Sequence, residues 1–158
     1  MFESENKREE LTEQVEELVS RKRYAELRDL LLPMEAADIA WLFDELDEKA
    51  PHLIFRLLPK ELAAEVFVEL DSDEQEILIR GFSNSELKEV LDELYLDDAV
   101  DIVEEMPAGV VKRILQHADP ETRKSINEIL KYPDDSTGSI MTTEFVDLKE
   151  TMTVEDAL

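Results

Sequence analysis

Residues 58–71 read LPKELAAEVFVELD, and this punctuation recurs along most of the chain. Leu58 closes one unit and Pro59 opens the next; twelve residues later Leu70 and Asp71 repeat the pair. Working outward, Pro33, Asp47, Pro59, Asp71, Ser83, Tyr95, Pro107 and Asp119 each follow an apolar residue, with one step of 14 and then six of 12. A fixed period of this kind marks an internal repeat. Pro33, Pro59 and Pro107 suit a first helical turn, which needs no N–H, while Asp47, Asp71, Ser83 and Asp119 suit N-caps.

Inside the units, an apolar pair follows seven and eight residues after the marker: Ile54 and Phe55, Val66 and Phe67, Leu78 and Ile79, Val90 and Leu91, Ile102 and Val103, Ile114 and Leu115. The first of each pair lies four residues before the apolar residue that closes its unit, which is helical spacing. Each unit is therefore a helix of about two and a half turns. Helices so short are marginal alone, because nucleation is costly and few hydrogen bonds are closed. They must stack, and the fold expected is an all-α superhelical array of units of about 12 residues. Phe67, Leu78, Leu91, Val103 and Leu115 are expected in its core. Ahead of the array, Leu11, Val15, Leu18 and Val19 mark one helix, and Tyr24, Leu27, Leu30 and Leu31 a second.

Composition narrows the function. Among 158 residues, 41 are acidic and 17 basic, a net charge of −24, while 43% hydrophobic content is enough for a core. Cysteine is absent, which removes disulfides, thiolate zinc sites and cysteine nucleophiles. So negative a chain repels nucleic acid. No stretch approaches the roughly 18 to 20 consecutive apolar residues of a membrane span. No catalytic signature occurs, and no enzyme is expected. His52 and His117 read as surface or core residues, as Trp41, Phe43 and Phe55 read as core. The opening Asp71-Ser72-Asp73 lacks the glycine and bidentate glutamate of an EF-hand loop.

The carboxylates remain. Residues 32–131 hold 25 acids and 10 bases, so the array itself is acidic. In LDDAVD, residues 96–101, Asp97 and Asp101 are four apart and share a helix face. Two carboxylates at about 5 to 6 Å repel by roughly 1 to 3 kcal/mol, depending on the effective dielectric. A hard divalent cation removes that penalty, and magnesium accepts one or two carboxylates while keeping most of its waters. The plainer alternative is a capping acid followed by a solvated face.

After Lys131 the texture changes. YPDDSTG at 132–138 is turn chemistry, Thr142 to Val146 leans to a strand, and Val154 to Leu158 begins a helical pattern. The array, its unit at 58–66, the stretch at 94–101 and above all YPDDSTGSIMTTEFVDLKETMTVEDAL at 132–158 resemble the MgtE family of magnesium channels or transporters. The resemblance implies two parts: residues 1–131 as the helical cytosolic N domain, and residues 132–158 as a linker and the truncated β/α start of a CBS domain. It implies a continuation through two CBS modules into a membrane pore, and a homodimer in the full-length protein. Membrane contact would come only through that missing pore domain, leaving this piece soluble on the cytoplasmic side of the membrane.

The function implied is magnesium sensing, with ions bridging the acidic face to the CBS domains so that the closed pore is favoured. Carried over by residue, the bridging acids are Asp97, Asp101 and Glu65, and Mg2+ is the implied ion, weakly held and shared with the CBS domains. The rival is a helical interaction scaffold without ion sensing, similar to the flagellar motor switch protein FliG.

Overall fold

The computed structural model describes residues 2–47, 49–133, 136–138 and 152–153, with side chains described from Lys7 onward. Ten helices occupy the described residues, and no strand is found among them: α1 Phe2–Ser20, α2 Tyr24–Leu31, α3 Ala36–Glu45, α4 Ala50–Leu57, α5 Lys60–Glu69, α6 Ser72–Gly81, α7 Asn84–Glu93, α8 Leu96–Glu105, α9 Ala108–His117 and α10 Pro120–Ile129. The expected strand and helix of the tail lie outside the described residues.

The 12-residue period has a simple backbone origin. Leu58, Leu70, Phe82, Leu94, Met106 and Ala118 end their helices in extended conformation, with ψ from 142° to 151°. The next residue, the N-cap, is extended too, so ten helical residues plus two extended ones make one unit. Of these closing residues, all but Leu94 are buried, so each link is anchored in the core. Asp71 and Ser83 form capping boxes with Glu74 and Glu86, and the Asp119 carboxylate accepts from the Glu121 and Thr122 N–H groups. Such caps satisfy donors that the first turn leaves orphaned.

Two details depart from the sequence reading. Pro59 and Pro107 stand at the N-cap rather than within the first turn, where each carbonyl still accepts from the N–H four residues on. Pro33 lies in the turn before α3, whose N-cap is Glu35, and Asp47 is not a cap at all: α4 begins at Ala50 behind Lys49. The 14-residue step thus reflects four link residues ahead of the 10-residue α3, whereas in the next unit a link as long is offset by a helix of only 8 residues.

Helices pack mainly on the helix two places earlier, giving one row α2–α4–α6 and another α3–α5–α7–α9, with α8 against α10 and α6 against α9. Phe55, Phe67 and Phe82 meet at the centre, their ring centroids 5.0 to 6.3 Å apart. Phe67, Leu78, Leu91 and Val103 are buried as expected. Leu115 is only half-buried, because among the described residues no further helix follows α9 in its row. Arg113 of α9 donates to the carbonyls of Ile79 and Phe82, which the end of α6 leaves without helical partners. Gln75, buried, donates to the Phe67 carbonyl at 2.8 Å. His52 packs edge-on to Phe82, and a Cβ at Gly81 would meet its Nε2 at 2.0 Å, so glycine is what lets α4 and α6 approach there. Phe43 and Phe55 are buried, and half-buried Trp41 lies under the Arg8 guanidinium at 4.7 Å.

Candidate functional site

The links that set the repeat also set where its acids stand. In α5, buried Ala63, Ala64, Val66 and Phe67 fix one face inward, which turns Glu61, Glu65 and Glu69 to solvent. Beside them a groove of about 380 Å³ is lined by Glu61, Ala64, Glu65, Val68, Glu69, Glu93, Leu94, Tyr95 and Asp98. A second groove of about 250 Å³ is lined by Val68, Leu70, Gln75, Asp98, Asp101, Ile102 and Glu105. Val68 and Asp98 belong to both, so the two form one continuous face across α5, α7 and α8. The lining residues described carry five carboxylates in the first groove and three in the second, and no cation in either.

Of the acids singled out in the sequence, Glu65 lines the first groove and Asp101 the second. Asp97 is exposed and lines neither. Half-buried Asp98 is the acid common to both grooves, and sequence reasoning passed over it. A signal was available: Asp98, Asp101 and Glu105 follow i, i+3, i+7, one helical stripe. Spacing within α8 alone does not choose between Asp97 and Asp98 as partner for Asp101; the groove against α5 does.

A second cluster was missed altogether. Asp44 near the end of α3, the cap Asp71 and Glu74 of α6 bring carboxylate oxygens within 4.8 Å of one another. Asp44 and Glu74 border a cavity of about 180 Å³, lined also by Phe43, Leu46, Pro51, Ile77 and Leu78. Burial pushes the Glu74 carboxyl up to about 7, assisted by the charge of Asp44 and a hydrogen bond shared with it. Asp71, the expected N-cap of its unit, accepts the Glu74 N–H at 2.9 Å. In a separate groove beside Phe55 and Val90, Arg56 reaches Glu86 at 2.5 Å and Lys60 reaches Glu89 at 3.4 Å. The Arg56 hydrogen bond, with the Ser83 N–H, holds Glu86 down at about 2. Acids thus differ in setting: Glu86 and Glu89 meet cations, Glu74 is pushed toward protonation beside Asp44, and the α5–α7–α8 face gathers carboxylates with no cation among its described lining residues.

Comparison with known proteins places this architecture. The chain is 34% identical over 136 residues to the magnesium transporter MgtE of Thermus thermophilus, covering 84% of this chain. It is 22% identical over 133 residues to the magnesium transporter MgtE of Bacillus subtilis, again covering 84%. It spans about 30% of the length of each of these relatives. Among solved structures, it resembles the cytosolic domain of the Mg2+ channel MgtE in complex with ATP, with TM-score 0.81 and 32% identity, over 92% of this chain and 60% of that one. It also resembles the soluble part of a magnesium transporter, with TM-score 0.75 and 27% identity, over 88% and 55%. No described helix is long and apolar enough to cross a membrane. Residues 34–135 match the MgtE intracellular N domain, and the chain belongs to that family.

Proposed function

We propose that this chain is the cytosolic magnesium-sensing regulatory part of a magnesium transporter or channel, its acidic face bridged by Mg2+ to CBS domains so that pore closure is favoured. The observation that carries this reading is the continuous α5–α7–α8 face, whose grooves gather carboxylates with no cation among their described lining residues. Family membership supports it. Residues 1–131 are the sensing domain in this proposal, and residues 132–158 the linker and start of the first CBS module. The full-length protein would be a homodimer anchored through its pore domain, with this part on the cytoplasmic side.

The physics is a balance of like charges. Exposed carboxylates on one face repel each other and any acidic domain that approaches, and the repulsion is strongest at low ionic strength. Magnesium is compact, takes six oxygens and gives up its waters reluctantly, so a face offering one or two carboxylates per ion holds it loosely. A second acidic surface completing the shell would turn that loose hold into a bridge. Within the proposal, Glu65, Asp98 and Asp101 supply the oxygens on this side, with Asp97 at the rim. A lone face should bind at about millimolar or weaker, and potassium chloride at matched ionic strength separates screening from binding.

The deciding experiment uses the full-length protein, or its cytosolic part with the CBS pair. Magnesium should compact it, as judged by small-angle scattering and protease protection. Replacing Glu65 by Gln and Asp98 and Asp101 by Asn should weaken that response and leave the helical spectrum intact. Unchanged compaction would make these acids a solvated surface. A folded protein that ignores magnesium altogether would leave the scaffold reading in its place.

A further inference from the structure

The opposite chemistry gathers at the far end of the array. Helix α9 holds Lys112, Arg113 and His117 and no carboxylate, in a chain where acids outnumber bases 41 to 17. Arg113 is turned inward to α6. On the outer side, Met106, Ala108, Val111, Lys112, Leu115, Gln116 and Arg123 line a groove of about 650 Å³ between α9 and α10. Four of these residues are apolar, two are cations, and none is acidic. Lys112 is exposed and has no ion pair among the described residues, while Arg123 leans on the carbonyls of Gln116 and Ala118 at the end of α9.

This groove occupies a definite place in the repeat. In the row α3–α5–α7–α9 each helix is covered by the next, and among the described residues nothing follows α9 in that row. Leu115 shows the consequence. Its counterparts in the same register, Phe67, Ile79, Leu91 and Val103, are between 1% and 7% exposed, whereas Leu115 is half-buried. The groove therefore has the register of a seat for one more short amphipathic helix. Its chemistry asks for a helix with an apolar row flanked by carboxylates, since Lys112 and Arg123 border the apolar floor and no acid among the described lining residues opposes them. A second copy of this chain is a poor occupant, because its acidic helices spend their apolar rows on their own array: Ala99, Val100, Ile102 and Val103 of α8 are all buried.

We propose that the α9–α10 groove is a docking site for an acidic amphipathic helix of a partner polypeptide, seated where the next helix of the repeat would lie. The site is distinct from the acidic face, and its test does not depend on magnesium. As probe, a peptide with the sequence of residues 94–105, LYLDDAVDIVEE, cross-linked to hold a helix, carries an apolar row and five carboxylates. Titrated into the 158-residue chain under NMR, it should shift Met106, Val111 and Leu115. Lys112→Glu should weaken binding at least tenfold with the helical spectrum unchanged, and Lys60→Glu in α5, which does not line the groove, should leave it unchanged. A peptide with its acids replaced by lysine should bind at least tenfold more weakly than the acidic one. No shift at millimolar peptide, shifts centred elsewhere, or affinity indifferent to Lys112→Glu would overturn the proposal. So would concentration-dependent self-association that moves the same residues without peptide, which would make a second copy the occupant.

Discussion

Carboxylates on the α5–α7–α8 face and those of Asp44, Asp71 and Glu74 are the same chemical group in two arrangements. On the face they are spread over neighbouring turns and helices, and Glu65 and Asp101 are exposed. At the junction of α3 and α6, three of them converge within 4.8 Å beside Phe43, Leu46, Ile77 and Leu78. Spreading leaves charge on offer to a cation from outside. Crowding beside apolar walls makes a second negative charge costly, and the cluster answers by holding a proton on Glu74. Local density and burial, more than the number of acids, decide whether an acidic surface stays charged or takes up a proton.

The heaviest blow to this contrast falls on the wall of the cluster. Leu78 is 1% exposed and borders the Glu74 cavity, so Leu78→Ala should cost about 2 to 5 kcal/mol in denaturant unfolding. By NMR titration, Glu74 in that variant should fall back toward the ordinary glutamate range as water enters. If it stayed near 7, the charge of Asp44 and not burial would be the leading cause.

Next in size is the pH response. Glu74 titrates near 4.5 when unfolded and about 7 when folded, so the native state holds the extra proton between those values. Its contribution to stability is complete below about pH 4.5 and is lost as pH rises through 7. Glu74→Gln should remove that slope from the unfolding midpoint measured between pH 5 and 8. Glu86 runs the other way: with a folded value of about 2, its contribution stands above pH 4.5 and is lost as pH falls through 2. Arg56→Ala should raise the Glu86 titration and cost only about 0 to 1 kcal/mol, since the pair is exposed. The smallest change is expected on the acidic face, where Glu65→Gln with Asp101→Asn, both exposed, should move stability by no more than about 0.5 kcal/mol. A larger loss would show that these acids hold the array together and are not simply a surface.

Most of the architecture was legible before any coordinates. Asp71, Ser83 and Asp119 carry their capping chemistry openly, and the apolar pairs at seven and eight residues report the buried stripe directly. Where the reading slipped, the cause was positional: Asp47 has the side chain of a cap, yet helix α4 starts later at Ala50. Leu115 has the pattern of a core residue, and its place in the last helix of its row among the described residues leaves it half-buried.

Helical hydrogen bonding, capping and apolar periodicity act within about a dozen residues, and so the repeat, the helix count inside it and the acidic character of the array were determined by the sequence by itself. Tertiary structure alone decided which acids meet. Asp44 and Glu74 are thirty residues apart, and no local spacing announces that α3 and α6 bring their oxygens together. The choice of Asp98 over Asp97 as the acid shared by both grooves likewise rests on how α8 is rotated against α5 and α7. Stacking sets such encounters, because the charge around a carboxylate depends on distance through space and not along the chain.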